Sequence, residues 1–196
     1  MLSERQQEER NIRKKTILDG ALKVFKTHGI EKTTMDEIAS ESGFGKATLY
    51  YYFTSKDEVF IAIMEDGWKH LWEGIESKIV EELGPRKKFM GIIRKMASIV
   101  KSDKILYGFL FTAPNHIQDE SKQIWKTYQE RLYAILKSII EEGIKKKEFI
   151  DLNPGMLMKA IGGLFHGLLI ENSDDLNNDD FEVMLRNFLK PDVSKN

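Results

Sequence analysis

The stretch GFGKATLYYYFTSKDE, residues 43–58, sets three tyrosines side by side, Tyr50, Tyr51 and Tyr52. On a helix successive side chains point about 100° apart, so three adjacent rings sweep roughly 200° of surface and cannot all enter one core. At least one ring is offered to something outside. With the i,i+4 pair Leu49 and Phe53 as the buried face, Tyr50 and Tyr52 flank it at roughly 80° on either side. Tyr51 then points away from the core, on the side of Ala47 and Thr48.

That outer face is small, polar and aromatic, and the stretch from Gly43 to Lys56 holds two lysines and no acidic residue. It suits insertion into a DNA major groove. Thr48 can hydrogen-bond a base edge or phosphate, Ala47 and the Tyr51 ring can meet thymine methyls, and the flanking hydroxyls can reach phosphates. Lys46 opens this helix and Lys56 the next, where an ammonium beside backbone N–H groups would clamp a phosphate. A tyrosine-rich helix can equally pack against another protein, because tyrosine is favoured at interfaces.

Upstream, TILDGALKVFKTHG gives a helix with Ile17, Leu18, Ala21, Leu22 and Phe25 on one face, ended by Gly29. A short helix follows, with Thr33 or Thr34 as N-cap and Glu37 as the capping-box partner of Thr34. Two helices of fewer than ten residues around the Gly43 break form a helix-turn-helix pattern. Downstream the periodicity remains helical, and strand alternation is nearly absent. One stripe runs Phe60, Ile63, Met64, Leu71, Trp72, Ile75, Ile79 and Leu83 before the Gly84-Pro85 stop. Another runs Ile124, Trp125, Tyr128, Leu132, Ile135, Leu136, Ile139 and Ile140. The chain is expected to be all-α, with a helix-turn-helix domain over residues 1–56 and a larger helical domain over 57–196.

Composition bounds the rest. The 196 residues are 41% hydrophobic, enough for a packed core, and the formal net charge is −1. Cysteine is absent, so neither a disulfide nor a thiolate metal site can form. The charged start MLSERQQEERNIRKK has no apolar core of a secretory signal, and the most apolar run, residues 160–170, is too short to cross a membrane. A cytoplasmic location is expected. His28, His70, His116 and His166 occur singly, no phosphate-binding glycine loop or nucleophile elbow is present, and neither catalysis nor a metal or other cofactor is expected.

Residues 17–60 closely resemble the DNA-binding domain of the TetR/AcrR family of bacterial transcriptional regulators. TTMDEIA, the glycine turn, TLYYYF and SKDE occur in that family's order and spacing. The resemblance implies that Thr34 caps helix 2 and can touch phosphate. It places Lys46, Thr48 and Tyr51 among base-contacting positions and Tyr50, Tyr52 and Lys56 among phosphate-contacting ones. It further implies a small-molecule effector held by the later helices, whose aromatic and methionine content includes Trp68, Trp72, Phe89, Met96, Tyr107, Phe109, Phe111, Trp125 and Tyr128. Core packing alone also accounts for any one of these. Tyr128, His116 or Gln123 could act as polar anchors in an apolar pocket. The helix MLMKAIGGLFHGLLI, apolar around much of its girth, resembles with FEVMLRNFLK the helix pair through which such subunits form homodimers on near-palindromic operators. The expected function is a ligand-responsive DNA-binding regulator, a repressor released by its effector. A helical interaction or ligand-binding protein without DNA-binding activity remains the competing reading.

Overall fold

The computed structural model of the chain describes residues 3–80, 83–112, 124–167 and 183–187. Its helices are α1 (Glu4–His28), α2 (Met35–Glu41), α3 (Lys46–Tyr52), α4 (Lys56–Val80), α5 (Pro85–Ser102), α6 (Lys104–Thr112), α7 (Ile124–Lys145) and α8 (Pro154–His166), and residues 183–187 are helical as well. Among the described residues there is no strand, and no helix is long and apolar enough to cross a membrane.

Two compact units divide the chain. The first comprises residues up to Gly67 together with Thr112, Ile124 and Trp125; the second comprises Trp68–Phe111 and the chain from Lys126 onward. The expected boundary at 56/57 coincides with the first residue of α4, and the first unit continues along that helix to Gly67.

In the first unit α1 begins far earlier than its apolar stripe suggests. Ser3 accepts from the backbone N–H of Gln6 while the Gln6 side chain accepts from that of Ser3, a capping box that starts the helix at Glu4. Pairs at i,i+4 then line its surface: Arg5 with Glu9 at 3.3 Å, Gln7 with Asn11 at 3.1 Å and Lys15 with Asp19 at 3.2 Å. Only from Ile17 onward does α1 bury side chains: the expected Ile17, Leu18, Ala21, Leu22 and Phe25, and Val24 besides. Gly29, at φ 77° and ψ 156°, ends the helix in a conformation that only glycine adopts readily.

Thr34 caps α2, accepting from the Glu37 amide at 3.3 Å while Glu37 accepts from the Thr34 amide at 2.8 Å. Gly43, at φ 74°, turns the chain between α2 and α3. The packing of α1 against the end of α2 depends on Gly20. A Cβ there would stand 2.9 Å from both the Cβ and the backbone nitrogen of Ser42. Ser42 is itself buried, its hydroxyl donating to the carbonyls of Ile38 at 2.7 Å and Ala39 at 3.2 Å.

The second unit is built on α5, whose Phe89, Ile92, Ile93, Met96, Ala97 and Val100 are all buried. Here Gly74 of α4 admits Ile99, whose Cδ1 occupies the place a side chain would need. The amide of Arg86 donates to Glu148 at 2.9 Å, tying the start of α5 to the segment after α7. Leu83 lies beyond α4 and is exposed, and Ile124 at the start of α7 is exposed too, so the two stripes bury their middles and not these ends. Of the apolar helix at 156–170 the described part is α8, and of residues 181–190 only 183–187. The remainder of both stretches lies outside the described residues.

Gly20→Ala sets helix propensity against the Ser42 contact. Alanine is favoured in a helix by about 0.5–1 kcal/mol, but crowding a backbone atom costs about 1–3 kcal/mol. The substitution is expected to lower the urea midpoint of the first unit's unfolding, followed by circular dichroism; a raised midpoint would mean that α1 and α2 do not meet here.

Candidate nucleic-acid interface

The α3 helix fills its inner face with Leu49, fully buried, and Phe53, which is buried and caps the helix C-terminus. Tyr51 is the most exposed of the three tyrosines at 69%, Tyr50 is 50% exposed and Tyr52 is half-buried. Ala47 is exposed and Thr48 half-buried. The rotation of the helix is therefore the one the Leu49–Phe53 pair implies, with Ala47 and Tyr51 outward. The Tyr51 and Tyr52 rings meet edge to face, centroids 5.2 Å apart.

The charges around this face differ from the expectation. Lys46 pairs with Asp36 of α2 at 2.5 Å, so a carboxylate does stand at the start of α3. The hydrogen bond to Asp36, reinforced by its charge, holds the Lys46 ammonium above the usual lysine range. Both side chains are largely exposed, and water screens the pair. Thr34 spends its hydroxyl inside the capping box, donating to Glu37 at 2.8 Å. Hydrogen bonds from the backbone and hydroxyl of Thr34 hold Glu37 below the ordinary carboxylate range, with a smaller contribution from His28, whose Nδ1 lies 3.2 Å away.

Lys56 is engaged as well. Its ammonium donates to the carbonyls of Ile30 at 3.0 Å and Glu31 at 2.8 Å, pinning the first residue of α4 to the α1–α2 turn. Two of its three N–H bonds are thus spent within the fold, leaving one for a phosphate. Two backbone donors near it are also engaged: Glu58 N–H by Ser55 at 3.2 Å, and Thr54 N–H by Glu58 at 2.7 Å. One ammonium donor of Lys56 remains for the expected phosphate clamp.

A residue that pattern reading passes over comes to the tyrosines instead. The Arg10 guanidinium lies 5.6 Å from the Tyr51 ring centre and 5.7 Å from that of Tyr52, with its Nη1 3.5 Å from the Tyr51 hydroxyl. One turn on, the Lys14 ammonium lies 5.8 Å from the Phe53 ring. The signal available in the sequence was the run from Arg10 to Lys15, four basic residues and no acidic one.

In the second unit the expected effector-lining residues separate into clusters. Trp68 meets Phe111 edge to face at 5.5 Å, and Phe111 meets Phe165 at 6.1 Å. Trp72 lies 6.3 Å from Tyr128 and under the Arg131 guanidinium at 4.4 Å. Phe89 packs on Phe149 at 5.7 Å. Met96, Tyr107 and Phe109 are buried, and Trp125 is buried but belongs to the first unit. His116 and Gln123 lie outside the described residues. Trp68 is 1% exposed and its indole N–H has no hydrogen-bond partner among the described residues. Among those residues no group of histidines and carboxylates could hold a metal ion.

Residues 17–63 match the family described as bacterial regulatory proteins, tetR family. The chain is 43% identical over 174 residues to an uncharacterized HTH-type transcriptional regulator, YfiR, of Bacillus subtilis (strain 168), covering 79% of this chain and 82% of that protein. It is 24% identical over 135 residues to the fatty acid metabolism regulator protein of the same organism, covering 67% and 68%. Among solved structures its fold is similar to that of AibR in complex with isovaleryl coenzyme A and operator DNA, with TM-score 0.79, 17% identity and coverage of 92% of this chain and 100% of that one. It is also similar to PfmR from Thermus thermophilus, with TM-score 0.74, 18% identity and coverage of 89% and 97%. With the capped α2, the glycine turn and an outward-facing α3 in the matched segment, the chain belongs to the TetR family of bacterial transcriptional regulators and is a DNA-binding regulator.

Proposed function

We propose that the protein is a homodimeric repressor that leaves a near-palindromic operator when a small molecule carrying an apolar group occupies its second unit. The observation that carries the DNA-reading part is the division of α3 into a fully buried Leu49 and an exposed Ala47–Tyr51 face. Family membership favours this over an adaptor role for the same tyrosines. Thr48, Ala47 and Tyr51 read base edges, while Tyr50, Tyr52, Lys46 and the remaining Lys56 donor meet phosphates.

Dimerisation through α8 and the final helix is supported by the outer side of α8. Gly162 and Gly163 are exposed and a Cβ added at either would meet nothing within 4 Å, while Met156 is 54% exposed. Helix backbones approach closely at such positions, and a two-fold pair of subunits presents two recognition helices to two half-sites. For the effector, the Trp68–Phe111–Phe165 cluster supplies apolar surface, and the buried Trp68 N–H supplies a donor for an acceptor such as an acyl carbonyl. Names of similar proteins, a fatty acid metabolism regulator and a complex with isovaleryl coenzyme A, point to the same ligand class. Release requires that the effector favour the arrangement of recognition helices that does not fit the operator, since equal affinity for both shifts nothing. Gel shifts with the DNA upstream of the protein's own gene, at two salt concentrations and with acyl-CoA thioesters of increasing chain length, test the whole reading.

Tyr51→Ala is expected to leave the melting temperature nearly unchanged, lose about 1–3 kcal/mol of specific binding, and relax preference at one position per half-site. Melting of the domain with base preference intact would instead mean that α3 presents a different face. Gly163→Trp is expected to give monomers in sedimentation and to abolish operator binding, with α1 to α3 still folded; a dimer of full affinity would place the interface elsewhere. Trp68→Phe keeps an aromatic ring, smaller than the indole, and deletes the N–H. By calorimetry it should weaken acyl-thioester binding by about 0.5–1.5 kcal/mol while operator affinity without effector stays unchanged.

A further inference from the structure

The first thirteen residues of α1, Glu4 to Thr16, are exposed without exception, so about three and a half turns of helix project from the first unit. The charge along this arm is not uniform. Its outer part mixes signs, with Glu4, Glu8 and Glu9 against Arg5, and Arg5 pairs with Glu9 at 3.3 Å. Its inner part, residues 10–15, carries Arg10, Arg13, Lys14 and Lys15 and no carboxylate. Lys15 pairs with Asp19 at 3.2 Å, whereas Arg10, Arg13 and Lys14 have no ion-pair partner among the described residues. Spaced i, i+3 and i+4, these three cations share one side of the helix.

That side is turned to the recognition helix, because Arg10 touches the Tyr51 hydroxyl and faces both Tyr51 and Tyr52, and Lys14 faces Phe53. A guanidinium laid against the Tyr51 and Tyr52 rings stands beside the helix that enters the groove, on the side where the phosphates bordering that groove run. Lys46 and Lys56 of the helix-turn-helix are largely occupied, the one by Asp36 and the other by two carbonyls. Among the described residues, the arm supplies cations beside α3 that no carboxylate or carbonyl takes up.

We propose that the arm of α1 is a second DNA-contacting element, in which Arg10, Arg13 and Lys14 bind phosphates flanking the bases read by α3. The inference rests on the DNA-binding reading of α3. From residue 10 to residue 14 the helix rises about 6 Å, close to two steps of about 3.4 Å along one DNA strand, so each subunit engages about two phosphates. Phosphate contacts position the protein without specifying sequence. The arm therefore adds affinity evenly to all sequences and makes binding steeper in salt.

The test uses the full-length protein and two duplexes, one enriched by the wild type from a random-sequence library and one of unrelated sequence and equal length. The triple variant Arg10→Gln, Arg13→Gln, Lys14→Gln is expected to lose affinity for both duplexes by the same factor. Its plot of log K against log salt should flatten by about 1.8 to 3.6, for one to two contacts per subunit of a dimer. Base preference and melting temperature should be retained, and the charge-conserving pair Arg10→Lys, Arg13→Lys should keep the wild-type slope. An unchanged slope in the folded triple variant overturns the proposal, as does a loss confined to the enriched duplex, which would mean that Arg10 acts through the Tyr51 ring. If the triple variant melts, Arg13→Gln alone carries the test, since the Arg13 side chain makes no hydrogen bond or ion pair among the described residues. A wild type that enriches no duplex would sink the DNA-binding reading itself.

Discussion

The close approach of α1 and the end of α2 at Gly20 and Ser42 is the contact on which the DNA-facing surface depends. Helices of seven residues such as α2 and α3 are far below the length that holds together alone in water, so their order comes from what they pack against. Ile17, Ala21 and Phe25 of α1, Ile38 of α2 and Leu49 of α3 are all sealed against solvent. Any side chain at Gly20 would lift Ser42, and with Ser42 the turn at Gly43 from which α3 starts. Lys56 closes the arrangement from the other side by binding the carbonyls of the α1–α2 turn. The recognition helix is thus held by α1 through α2 at one end and by the first residue of α4 at the other.

Two lysines at helix starts resemble phosphate ligands when met in a sequence, and both also have partners within the unit that presents α3. Lys46 neutralises Asp36 across the helix-turn-helix, and Lys56 satisfies carbonyls that a tight turn leaves without helical partners. The balance of charge at the interface then shifts to α1. Electrostatic attraction and base reading come to reside on different helices, joined at the Arg10–Tyr51 contact.

Most of the first unit was legible in the sequence because its signals are local. Thr34 with Glu37 is a capping box within four residues, Gly29 and Gly43 mark chain reversals, and Leu49 with Phe53 fixes the rotation of α3. Contacts between residues distant in the chain were not legible. Nothing in the order of residues says that Asp36 meets Lys46, that Lys56 reaches back to Ile30, or that Gly20 receives Ser42. The arm of α1 carries no such signal, because an exposed helix started by Ser3 and laced with i,i+4 pairs has no apolar stripe. The aromatic residues of the second unit were legible as buried groups, but their division into Trp68–Phe111–Phe165, Trp72–Tyr128 and Phe89–Phe149 depends on tertiary packing alone.

The split character of α3 has a consequence for how such a protein can change over generations. Leu49 and Phe53 supply the helix's hold on the core, whereas the exposed positions 47 and 51 bury little and take no part in that core. Substitutions there move along a nearly flat stability surface, so a gene duplicate can acquire a new operator without first passing through an unfolded intermediate sequence. The inner face allows no such drift. The helix behaves as an interchangeable reading head on a fixed mount.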